Sequence, residues 1–252
     1  TYSVDVATSD LLADNSVEVD VVSTDAAGNS VTSEGSRDIS VDLEAESGTV
    51  TVNTIAGDDV INASESGAET IAVSGTATGG DIQAGDSVTV SVNGTDYTTT
   101  VQADGTYSVD VATSDLLADN SVEVDVVSTD AAGNSVTSEG SRDISVDLEA
   151  ESGTVTVNTI AGDDVINASE SGAETIAVSG TATGGDIQAG DSVTVSVNGT
   201  DYTTTVQADG TYSVDVATSD LLADNSVEVD VVSTDAAGNS VTSEGSRDIS
   251  VD

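Results

Sequence analysis

Apolar and polar residues alternate along most of this chain, as in TVTVNTI (residues 49–55), SVTVSV (87–92) and SVEVDVVS (121–128). A period of two puts successive side chains on opposite faces, so each such run reads as a strand with one face buried. Val, Ile and Thr dominate these runs and suit a pleated surface. The pattern predicts strands over 49–55, 70–78, 87–92, 95–102, 106–111, 121–128 and 136–147. Asn93-Gly94 predicts a type I′ hairpin, because both residues tolerate positive φ. Asp104-Gly105 predicts a second tight turn, which would make residues 87–111 a three-stranded meander. The segment ATSDLLADN (112–120) breaks the alternation and predicts a helical turn, with Leu116 and Leu117 plugging one end of the core.

The pattern also repeats. TYSVDV begins at Thr1, Thr106 and Thr211, and every residue up to Asp147 is matched by the one 105 positions later. A repeat of that length is domain-sized, so the array is read as beads on a string rather than a solenoid. About seven short strands per repeat, with turns at sandwich-like spacing, predict an all-β fold of tandem immunoglobulin-like β-sandwiches arranged as an elongated rod. The expected division is a C-terminal part of one repeat over 1–42, then complete repeats over 48–147 and 153–252. The chain opens in mid-pattern and is expected to be a piece of something longer.

Composition sharpens this picture. There are 47 Asp and Glu against 3 Lys and Arg, a formal charge of -44, and no His, Cys, Met, Trp, Phe or Pro. Such a polyanion is repelled by nucleic acid and by anionic membrane surfaces, and it has no apolar run long enough to span a bilayer. Disorder is the competing reading of an acidic, aromatic-poor chain. The 37% apolar content and the strict alternation argue against it. The core must be assembled from Val, Ile, Leu, Ala and Tyr, so each repeat should be only marginally stable until its carboxylates are neutralised.

Those carboxylates cluster in the loops. In a sandwich of this type the loop after the first strand, the helical turn and the end of the last strand share the exit pole. That places Asp58, Asp59, Asn62, Asp115, Asp119, Asp147 and Glu149 together. The DAAGN loop of the following repeat, with Asp235 and Asn239, would face them. The equivalent groups elsewhere are Asp25 and Asn29, Asp42 and Glu44, Asp130 and Asn134, Asp163, Asp164 and Asn167, and Asp252. Two like charges 4 Å apart repel by about 1 kcal/mol in water and about 4 kcal/mol near a protein surface, so the joint reads as a crowd of acids with no base among them. A dication reverses the sign. Ca2+ suits such oxygen donors, whereas zinc would want His or Cys. Asp96 and Asp104 read instead as turn or solvated residues, and Asp110, Glu123 and Asp125 as outward-facing strand positions.

The stretches TVTVNTIAGDDVINASESG, VSGTATGGDIQAGDSVTVSVNG, ADGTYSVDV and STDAAGNSVT resemble the bacterial immunoglobulin-like extender repeats of giant RTX (repeats-in-toxin) adhesins. These are type I secreted surface proteins that include biofilm and ice-binding adhesins. The resemblance covers the whole repeat and is carried most specifically by the DAAGN and GDDVIN loops. It implies an extracellular, calcium-stiffened, monomeric spacer that projects a distant binding tip. It also implies that the loops holding Asp58, Asp59, Asp130 and Asp147 bind calcium. The linker DLEAESG has no proline where relatives often carry one, which leaves its stiffness without calcium open. Three other readings compete. A calcium-dependent carbohydrate-binding or homophilic adhesion module should expose aromatics, and Tyr97 and Tyr107 sit on strands where core packing is their commoner fate. An enzyme would have to rely on adjacent carboxylates such as Asp58 and Asp59, without His, Cys or Lys. A halophile cytoplasmic protein would suit the acidity but not the tandem identity.

Overall fold

The computed structural model describes all 252 residues. Residues 1–42 contribute a short helix α1 (Thr8–Ala13) and an antiparallel hairpin, β1 (Ser16–Thr24) with β2 (Ser30–Asp38), which pairs with no other strand. Its apolar residues stay in solvent, with Tyr2, Val4, Val22 and Val31 all at least 60% exposed.

The next repeat forms two packed sheets. One holds β3 (Thr49–Val52), β5 (Thr70–Thr78) and β8 (Thr106–Ala112). The other has the order β10-β9-β6-β7, from β6 (Ser87–Val92), β7 (Thr95–Thr100), β9 (Ser121–Thr129) and β10 (Ser135–Asp143). A parallel pair, β4 (Val60–Ile61) with β11 (Ser145–Val146), closes the exit end. Inward positions alternate as the pattern requires. Val88, Val90, Val122, Val124 and Val126 are fully buried, and a core of 17 residues forms between the sheets. The helix α2 (Thr113–Ala118) drives Leu116 into one end of it. The same sheets recur 105 residues later around a separate core of 17 residues. The architecture is all-β and immunoglobulin-like.

Two sequence expectations need correction. β8 does not complete a meander with β6 and β7; it crosses to the other sheet and pairs with β5. The reason lies in residues 101–107. Val101 is buried and exchanges backbone bonds with Asp86 and Gly85, which ends β7, and Tyr107 then enters the core on the far side. The Tyr107 hydroxyl donates to the Thr51 carbonyl at 2.8 Å, and Gly75 makes room for the ring. The second correction concerns the first strand, which stops at Val52 rather than residue 55. Left-handed backbone at Ala56, Gly57 and Asp59 turns the chain, and Val60–Ile61 re-enters as a short parallel strand. The GDDVIN segment is therefore a loop that contains a two-residue strand.

Candidate metal centres and the joint between repeats

Strands β3, β6, β8 and β10 run toward the end of the repeat that holds residues 53–69, 93–94, 113–120 and 144–147. The DAAGN loop lies at the opposite end, between β9 and β10.

Within that loop Asp130 folds the chain onto itself. Its Oδ1 accepts the N–H groups of Gly133 (2.7 Å) and Asn134 (2.8 Å), and its Oδ2 accepts Asn134 Nδ2 (2.7 Å). The Asn134 side chain, with these backbone donors, holds the Asp130 carboxyl below the usual Asp value. Asp25 with Asn29 and Asp235 with Asn239 do the same, and both carboxyls are lowered for the same first cause. Each carboxylate oxygen has two lone pairs, so these bonds organise the loop without exhausting its acceptors.

At the exit pole the acids separate. Asp58 is exposed and caps Val60 N–H at 3.0 Å. Asp59 turns inward and receives Arg142, with Nε to Oδ1 at 2.6 Å and Nη2 to Oδ2 at 2.5 Å. Arg142 Nη1 also donates to the Val52 carbonyl at 2.9 Å, so one guanidinium ties β10 to the end of β3 and to the turn beyond it. The Arg142 bond holds the Asp59 carboxyl below its usual value. Arg247 and Asp164 repeat the arrangement. The exit pole therefore does contain a base, and Asp59 and Asp164 serve a bidentate ion pair. A signal was available, since the three Arg are the only bases and lie at equivalent positions, 37, 142 and 247.

Asp115 and Asp119 share the exit pole but turn to the hairpin tip instead of joining Asp58. Tyr97 O–H donates to Asp115 Oδ2 at 2.5 Å and Asn93 Nδ2 to its Oδ1 at 3.2 Å, while Asp119 accepts Asn93 N–H and Ser121 N–H. The Tyr97 bond lowers the Asp115 carboxyl and raises the phenol. Nowhere do three or more carboxylates converge on a common point. The acids that sequence gathers into one crowd thus have four separate surroundings: the DAAGN loops, the Arg pairs, the hairpin tips and open solvent. Asp42, Glu44, Asp58, Asp147, Glu149, Asp163 and Asp252 belong to the last.

Between the complete repeats the two facing loops do meet. Asn62 Nδ2 donates to the Ala237 carbonyl (3.0 Å), Ala63 N–H donates to Asn239 Oδ1 (2.8 Å), and Asn239 Nδ2 donates to the Asp147 carbonyl (3.0 Å). Asn62 also caps its own turn reciprocally. Its Oδ1 accepts Glu65 N–H, and Glu65 Oε2 accepts Asn62 N–H. At the earlier joint Asn134 Nδ2 reaches only the Asp42 carbonyl, at 3.3 Å. Asn167 caps the exit turn of its own repeat in the manner of Asn62, its Oδ1 accepting Ser169 N–H and its N–H donating to Glu170 Oε2.

The linker is pinned more than its composition suggests. Glu46 N–H donates to Asp81 Oδ2 at 2.6 Å and Gly48 N–H to Ser138 Oγ at 2.9 Å; Glu151 with Asp186 and Gly153 with Ser243 repeat both bonds. Gly80 permits the approach, because a side chain there would strike the Glu46 and Ser47 carbonyls. Sequence reading sets Asp186 near the joint among the acids, but not as the anchor of the linker, and it assigns Asp81 no role.

Apart from the asparagine amides, the polar groups at the joint are oxygens, the Asp147 and Ala237 carbonyls and the half-buried Asp235 carboxylate among them, and no three carboxylates meet there. That set fits a hard cation with irregular coordination and offers nothing to a metal that needs nitrogen or sulfur.

No family model matches the chain, and no curated protein does. Solved structures do. The chain is similar along its whole length to a Ca2+-stabilised adhesin that helps an Antarctic bacterium reach out and bind ice, with 60% identity and a TM-score of 0.81, and it spans 60% of that chain. It is likewise similar over its whole length to a 1.5-MDa bacterial ice-binding adhesin studied for host cell surface retention, with 51% identity and a TM-score of 0.90, spanning 79% of that chain. A bacterial immunoglobulin-like domain from the M. primoryensis ice-binding adhesin is 62% identical over 41% of this chain and all of its own, with a TM-score of 0.40.

Proposed function

The chain belongs to the immunoglobulin-like extender repeats of bacterial RTX adhesins, and from that membership we propose that it is a calcium-stabilised spacer holding a distal binding domain away from the bacterial surface. The observation that carries this reading is the joint. Two complete repeats meet through short loops, with the exposed acids of Asp58, Asp147 and Glu149 on one side and Asp235 on the other. At a formal charge of -44, repeats set end to end repel one another, and that repulsion favours any bend that spreads the acids.

No three carboxylates converge in the structure, so calcium would have to draw its ligands together from Asp58, Asp147, Glu149 and Asp235 at this joint, and from Asp42, Glu44 and Asp130 at the earlier one. Bound there, calcium supplies positive charge and a common centre for oxygens from both repeats. The chain does the rest. The Asp235–Asn239 bonds keep the DAAGN loop in one shape, the Arg142–Asp59 pair fixes the exit turn that carries Asn62, and Asp186 anchors the linker at Glu151. The two complete repeats act as separate folding units, the segment works outside the cell as a monomer, and its role is mechanical rather than catalytic.

Carbohydrate-binding and homophilic modules present aromatic side chains, and these repeats do not. Tyr107 and Tyr212 are 1% and 2% exposed, and Tyr97 and Tyr202 are engaged by Asp115 and Asp220. The test is small-angle scattering and thermal melting of the 252-residue chain in millimolar calcium and in chelator. Calcium should lengthen the particle, narrow its distribution of shapes and raise Tm; the same scattering profile and Tm in both buffers would refute the spacer mechanism.

A further inference from the structure

We propose that successive repeats are locked to each other directly by Asn62 and Asn239, in a contact that forms without a cation. This deepens the spacer reading and rests on it, but assigns the two asparagines a role other than metal ligation.

The argument starts from the buried amide. Asn239 is 5% exposed, and each of its side-chain groups is used. Oδ1 accepts Ala63 N–H from the preceding repeat, and Nδ2 donates both to the Asp147 carbonyl (3.0 Å) and to Asp235 Oδ2 (2.8 Å). The orientation is forced. Turning the amide over would set its NH2 against the Ala63 N–H and its oxygen against two other oxygens. Asn62 reciprocates through Nδ2 to the Ala237 carbonyl, while its own Oδ1 is held by Ser64 and Glu65 N–H groups. A buried amide with all its bonds made is worth keeping in place, and one with them broken is costly.

Three copies of the same loop show that the neighbour, not the loop, makes this contact. Asn29 bonds only within its own loop, Asn134 adds one 3.3 Å bond to Asp42, and Asn239 has the full set. Ala237 is 6% exposed, whereas Ala27 and Ala132, with no facing exit turn, are exposed. On the other side of the joint, Ala168 N–H and Asn167 Nδ2 have no partner, although their local sequence is that of Ala63 and Asn62. A neutral side chain is also what this place requires. An aspartate at 239 would face the Asp235 carboxylate and the Asp147 carbonyl, and would need a cation to be tolerated.

The test uses the full chain. Asn-Ala occurs only at residues 62–63 and 167–168, so labelling the Asn carbonyl with 13C and the Ala nitrogen with 15N leaves two amide signals. In folded wild type under chelator, the lock gives two separate signals, Ala63 exchanging about tenfold more slowly than Ala168, as one net hydrogen bond implies. Asn239→Ala should merge them with or without calcium, and Asn134→Ala should not. Asn239→Asp should merge them in chelator and separate them again in calcium. Coincident wild-type signals in chelator, or separate signals in Asn239→Ala with calcium, overturn the lock. If chelator unfolds the chain, the Asn239→Ala spectrum in calcium decides by itself. Failure of the spacer reading looks different: scattering stays indifferent to calcium while the two signals remain apart.

Discussion

Leu116→Ala measures whether the two complete repeats fold separately. Leu116 is fully buried in the core of the first, at the end nearest the joint, and Leu221 holds the same place in the second. Truncation removes the buried methyl groups and leaves a cavity between sheets that relax only in part, a loss of about 2.7–5 kcal/mol. For a unit of this size each kcal/mol moves Tm by about 4–8 °C, so the affected repeat should melt roughly 10–40 °C earlier. The cores share no residue, and the contact between repeats consists of a few hydrogen bonds among loops. Calorimetry of wild type should therefore give one peak whose calorimetric enthalpy is about twice its van't Hoff enthalpy, because two like units melt at one temperature. In Leu116→Ala that peak should split, one half moving down and the other staying. A single peak that shifts whole, with the two enthalpies equal, would show that the repeats melt as one and would refute the reasoning.

Two further outcomes follow from the charged groups. Arg142→Gln should lower Tm in chelator more than Arg37→Gln, since Arg142 holds Asp59, Val52 and Thr54 while Arg37 has no carboxylate partner; equal effects in thermal melts would remove the clamp from the account. Asp59 and Asp164 have folded pKa values below the ordinary 3.8, chiefly through Arg142 and Arg247. The stability they lend is present above that value and is lost as pH falls through their folded values. The Tm difference between wild type and the Asp59→Asn, Asp164→Asn double variant should therefore be constant near neutrality and shrink below about pH 4. A difference that grows on acidification would contradict the ion pairs.

How much of this was legible in the chain follows from the range over which each cause acts. Alternation set the strands and their buried faces because side-chain direction is fixed residue by residue, and Asn93-Gly94 set the first hairpin because its conformation is local. Leu116 could be read as a plug from the same break in pattern. Where a turn sends the next strand is a different matter. Asp104-Gly105 reads as a hairpin turn, yet β8 crosses to the other sheet because Tyr107 needs the space under Gly75, more than thirty positions back. The fate of each acid was likewise undecided by sequence. Asp59 meets Arg142 across 83 residues, Asp115 meets Tyr97, and Asn239 meets Ala63 across 176, and only the packed sheets bring those pairs within bonding distance. Composition could say that so many carboxylates need cations; which of them already have a partner in the chain was decided when the loops closed.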